Sequence, residues 1–139
     1  MANVYINFSD YNKYQIEQLR LGAEADIDVD KYISPEFSCF QMQQIRLGLM
    51  SGVDVNIYAT TKFNPDQMRE IRIGLEHGID ARLYADPEVS ELSMFMMREE
   101  LEAQLSNPNP GKLDEINESV TLNDELKEPQ ITQDESEDK

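Results

Sequence analysis

Apolar residues along this chain fall on helical stripes. Met42, Ile45 and Leu49 lie at i, i+3 and i+7, one face of a helix, and Met68, Ile71 and Leu75 repeat that stripe 26 residues later. Met94, Met97 and Leu101 carry it into a further segment. Leu21, Leu47 and Ile73 lie off the main stripe and give each helix a second apolar edge, as a helix touched by neighbours on two sides requires. Good N-cap residues precede each stripe: Asn12, Ser38, Asn64 and Ser90. Ser38 with Gln41 fits a capping box, and Pro65 sits at a first helical position, where its missing N–H costs nothing. Gly52 and Gly78 stand where a left-handed residue ends a helix; Asp26 takes that place in the first segment, less comfortably. These signals predict four helices at one phase.

The phase is a period of 26 residues, shared by Arg20, Arg46, Arg72 and Arg98, by Asp28, Asp54 and Asp80, by Tyr32, Tyr58 and Tyr84, and by Gly22, Gly48 and Gly74. A fixed period of this size predicts stacked units that bury one continuous core together. The units align near 11–36, 37–62, 63–88 and 89–105, giving a repeat domain over 1–105. Gly22, Gly48 and Gly74 lie inside helices, where glycine costs about 0.5–1 kcal/mol against alanine, so a neighbour must approach them closely. The fourth unit has Glu100 there, and its Arg98, Glu99, Glu100 and Glu102 suit the polar face of a capping repeat. After each helix the pattern is ambiguous. Val53, Val55 and Ile57 alternate as in a strand, which would make a strand-plus-helix solenoid. Across units the shared apolar positions follow the Asp at +1, +4 and +5, a helical spacing, and this favours a one- to two-turn helix with Asp28, Asp54 or Asp80 as its N-cap. The expected fold is all-α: a short helical-repeat, α-solenoid-like array of about four units, its hand left open, with a disordered acidic C-terminal tail.

The run Phe63-x-x-x-Gln67-Met68-x-x-Ile71-Arg72-x-Gly74-Leu75-x-x-Gly78-Ile79-Asp80-x-x-x-Tyr84-Ala85, with Pro87 after it, resembles short helical repeats in uncharacterised proteins of bacterial conjugative and phage-like mobile elements. The resemblance covers roughly residues 8–101 and is closest in units two and three. It implies a helical array in a mobile-element setting, and no catalytic residue comes with it.

Charge narrows the partners. The chain carries −16, of which residues 1–105 hold −9 and residues 106–139 hold −7. A field of this sign repels phosphate backbones and anionic membranes, so direct nucleic-acid or membrane binding is not expected, while a basic protein partner is favoured. Beyond Asn107-Pro108-Asn109-Pro110-Gly111 the chain is acidic and has no aromatic residue, the composition of a disordered tail. Leu113, Ile116 and Val120 would allow a transient helix there. The single Cys39 allows no internal disulfide, no secretion signal is evident, and no apolar run approaches the roughly 18 residues of a membrane span. A cytoplasmic protein, with a monomer favoured, is the resulting expectation.

Candidate chemistry is sparse. Arg20, Arg46 and Arg72 lie on or beside the apolar stripe, where an unpaired charge is costly. Asp28, Asp54 and Asp80 are the obvious acceptors, which predicts a structural Arg–Asp ladder; the alternative is an arginine row that grips an acidic ligand. Asp26, Asp28 and Asp30 begin like a calcium loop, but Lys31 and Phe37 occupy the positions where glycine and glutamate are needed. His77 is the only histidine, and Cys39 lies in a first helical turn with Lys13, Pro65 and Glu91 as its equivalents, which marks it as exposed and incidental. No phosphate loop, nucleophile elbow or zinc spacing is present, so no catalytic, metal or cofactor residue is assigned. Recurrent tyrosines and phenylalanines are expected in the core. Candidate partner-binding residues are those that vary between units and should face outward: Asp30, Asn56 and Arg82; Gln43 and Arg69; Gln44 and Glu70. The functional expectation is a non-catalytic protein–protein interaction module, an accessory protein of a mobile element. An acidic decoy for the groove of a basic nucleic-acid-binding protein is the alternative, and an enzyme the third and weakest.

Overall fold

The structure is a computed structural model that describes residues 7–106. The acidic segment, apart from Ser106, lies outside the described residues, and so do the Leu113, Ile116 and Val120 positions. Described residues up to Glu102 belong to one compact unit.

Among the described residues the protein is all-helical, with four α-helices and no strand: α1 (Lys13–Glu24), α2 (Cys39–Ser51), α3 (Pro65–Glu76) and α4 (Glu91–Ser106). The helices start where the caps predict. Asn12, Ser38 and Asn64 each close a full capping box with Gln15, Gln41 and Gln67, so the motif extends to all three units. Ser90 accepts from the Ser93 amide, but serine at that third position cannot reach back. Helix ends follow the prediction too. Gly52 and Gly78 adopt φ of 81° and 80°, and Asp26 is forced to 59°.

Each helix is followed by a single 3₁₀ turn, at Val29–Lys31, Val55–Ile57 and Ala81–Leu83. Asp28, Asp54 and Asp80 cap these turns by accepting from the backbone N–H two residues on. That local bond decides the ambiguous segments in favour of helix, for one turn only. The turn brings Tyr32, Tyr58 and Tyr84 back under the preceding helix, where each is at most 2% exposed. Successive helices pack, α1 on α2 and α2 on α3. The core between them is formed by Leu19, Met42, Ile45, Met68, Ile71 and Met94 together with the tyrosines, Phe37 and Phe63. In α4 the polar-face expectation is half corrected. Arg98 is buried, whereas Met97, equivalent to the buried Ile71, is 43% exposed.

Candidate functional site

The buried polar residues show how the repeats are joined. Gln15, Gln41 and Gln67 use both ends of their amides. The oxygen caps the local helix, accepting from the Asn12, Ser38 or Asn64 amide at 2.8–2.9 Å. The nitrogen donates to the carbonyl of Phe37, Phe63 or Val89, at the start of the next unit, at 2.6–2.7 Å. A capping residue thus doubles as the latch between units, and a glutamate there would lack the donor. The sequence marks Gln41 as a cap and gives no sign of the latch.

Within each unit, the tyrosines tie the 3₁₀ turn to its own helix. Tyr32, Tyr58 and Tyr84 donate through their hydroxyls to the backbone carbonyls of Gln18, Gln44 and Glu70 at 2.6–2.7 Å. A Cβ on Gly22, Gly48 or Gly74 would lie 2.1 Å from the corresponding hydroxyl, so the close neighbour expected at these glycines is the tyrosine of the same unit. Burial pushes the Tyr32 phenol up to about 12, with the Arg46 guanidinium pulling the other way. Tyr58 and Tyr84 are raised for the same reason.

The arginine ladder exists with different partners. Arg46, Arg72 and Arg98 donate from Nε to the side chains of Gln18, Gln44 and Glu70 in the preceding unit, at 2.8, 2.9 and 3.0 Å. The expected Arg–Asp pairing is therefore corrected: Asp28, Asp54 and Asp80 are engaged as caps of their own turns. Arg20, with no unit before it among the described residues, turns back to Glu17 and Glu24 of its own helix. This holds the Glu17 carboxyl below the usual carboxylate range. The last rung is the most enclosed, because Glu70 and Arg98 side chains are only 5% and 8% exposed. Arg98 also donates to Glu102, which His77 meets at 2.7 Å. Arg98, and then His77, lower the Glu102 carboxyl.

These joints remove two residues from the partner-binding candidates. Gln44 and Glu70 are ladder acceptors, and Glu70 is buried. Arg69 is exposed and pairs with Glu70 at 3.3 Å. In the turn row, Asp30, Asn56 and Arg82 are exposed as expected. Asn56 accepts from Lys31, and Arg82 is held against Asp80, which lowers the Asp80 carboxyl. Gln43 joins a concave surface. With Tyr14, Glu17, Gln18, Cys39 and Phe40 it lines a groove of about 430 Å³ between α1 and α2. Tyr14 and Phe40 flank it and are 60% and 63% exposed, unlike the core aromatics. Cys39, expected to be exposed, is half-buried in this groove. The aromatic pair was overlooked because its equivalents, Asp66 and Leu92, do not share the chemistry, and repetition drew attention to conserved-phase residues.

What the groove can do is bind. It offers two accessible aromatic faces, one carboxylate and two amides, a combination that suits an apolar side chain flanked by a polar or basic group. Among the described residues, no three His, Cys, Asp or Glu side chains cluster as a metal site needs, and no helix is long and apolar enough to cross a membrane. No family model matches the chain, and no curated protein or solved structure matches it either.

Proposed function

We propose that this protein is a non-catalytic protein–protein interaction module, a short solenoid-like helical array that binds a partner protein through the groove between α1 and α2. The observation that carries this reading is the exposure of Tyr14 and Phe40 side by side, in a chain whose other repeat-phase aromatics are packed away. Exposed aromatic anchors in a shallow groove, rimmed by polar groups, are the common energetic centre of protein interfaces. The negative charge selects for a basic rim on the partner. The cytoplasm and an accessory role in a bacterial mobile element are the setting we assign, on the repeat pattern of units two and three. The acidic-decoy reading is favoured by one observation, the −16 net charge.

The test uses tagged full-length chain, the 1–105 chain and a Phe40→Glu variant as baits in the native host. The expected result is one protein retained by the first two and lost by the third, with retention that persists at high salt. Loss of the partner on removing residues 106–139 would overturn the assignment to the repeats. Retention that collapses with salt and is competed by DNA would favour the decoy.

A further inference from the structure

The same bonds that join the units define two faces on every helix. Gln18, Gln44 and Glu70 receive an arginine from the following unit, and Ser51 and His77 bond to Glu76 and Glu102 of the following unit. These residues mark a forward face. Arg46, Arg72 and Arg98 mark the opposite, backward face. Repeat equivalence then identifies two faces that meet no neighbouring repeat helix among the described residues, one on α1 and one on α4.

The backward face of α1 is a groove of about 340 Å³ whose lining includes Phe8, Ile16, Leu19, Arg20, Val29 and Ile33. Its equivalents one unit on include Met42, Ile45 and Val55, each at most 2% exposed, so the shape and chemistry of this groove are those that receive a repeat helix. A terminal repeat that ended the assembly would present a polar surface here. The forward face of α4 carries Met96 and Glu99 one turn apart. Met96 is 60% exposed, whereas its equivalents Gln18 and Gln44 are half-buried and Glu70 is buried. Charge matches as well. Arg20, half-exposed, is the arginine whose ladder position has no preceding unit among the described residues. Glu99, also exposed, lies one turn from Met96, which occupies the ladder's acceptor position.

We propose that the backward face of α1 accepts the forward face of α4 from a second copy of this chain, head to tail, with Arg20 exchanging its own Glu17 for Glu99 of that copy. The contact repeats between chains the operation that joins units within one. It is heterologous, so each chain keeps one free end. It replaces the expectation of a monomer with concentration-dependent association.

Sedimentation of the full chain over a range of concentrations tests this, with Arg20→Glu and Met96→Arg variants alongside, the second placing a like charge where Arg20 would meet its acceptor. Both positions are exposed, and unchanged far-UV circular dichroism checks that helix content is kept. The wild-type mass is expected to rise with concentration. Each variant alone stays monomeric, since one end is blocked, whereas an equimolar mixture forms a dimer through the two intact ends. A chain carrying Arg20→Glu together with Glu99→Arg regains association. Three results would each overturn the proposal: a wild-type chain that is monomeric at every concentration, a Met96→Arg variant that still dimerises alone, or folded variants whose mixture stays monomeric.

Discussion

Gly48→Ala should destabilise this protein although alanine is the better helix former. In α2 the substitution gains about 0.5–1 kcal/mol of helical preference. Against that gain, the new Cβ would stand 2.1 Å from the Tyr58 hydroxyl and 2.8 Å from Val55 Cγ1. Neither can swing aside freely, since Tyr58 is 0% and Val55 2% exposed. Relief requires moving the ring and breaking the 2.6 Å bond from Tyr58 to the Gln44 carbonyl. Overpacking of this kind costs about 1–3 kcal/mol and the lost hydrogen bond about 1 kcal/mol, so the net loss is about 2 kcal/mol. Urea unfolding followed by far-UV circular dichroism reads it as a lower midpoint at unchanged slope. The decisive measurement is the same substitution in a Tyr58→Phe background, which removes the atom at 2.1 Å. There the cost should fall by about 1 kcal/mol, a coupling of the size seen between contacting side chains. Gly52→Ala is the control. Open space surrounds that Cβ, but φ is 81°, so its cost of about 1 kcal/mol is backbone strain and should not depend on Tyr58. A neutral or stabilising Gly48→Ala, or an equal cost in both backgrounds, would refute the reasoning.

Three further predictions rest on the other joints. Glu70→Gln should cost less than about 1 kcal/mol, because Gln18 and Gln44 make the same arginine bond, whereas Glu70→Leu removes one of the acceptors of the buried Arg98, leaving Glu102, and should cost about 2 kcal/mol; thermal melts of both variants check the contrast. Asp26→Gly should stabilise by about 0.5–1 kcal/mol, since Asp26 holds φ of 59° where Gly52 and Gly78 serve the other units, and a lower melting temperature would contradict this. Stability should be retained below pH 10 and fall as pH rises through about 12. Tyr32, Tyr58 and Tyr84 have raised folded-state values, so the unfolded chain loses those protons first; ultraviolet titration should show them ionising only with unfolding.

The sequence alone determined the local events. Caps, capping boxes, left-handed helix ends and the 26-residue phase rest on interactions within a few residues, so residue type and spacing suffice to locate them. Even the need for a neighbour at Gly22, Gly48 and Gly74 was legible, as a repeated cost that asks for a cause. Tertiary structure alone decided the partners. Arg46 and Gln18 are 28 residues apart, and Tyr32 and Gln18 are 14 apart. Several acceptors of equal chemistry lie within that reach, the three aspartates among them. Which one an arginine meets depends on the angle at which one helix face lies on the next, and no spacing in the chain encodes that angle. The exposure of Tyr14 and Phe40, and the repeat faces left open on α1 and α4, are set in the same way. They follow from which sides of each helix the neighbouring units cover, a property of the packed array rather than of any single repeat.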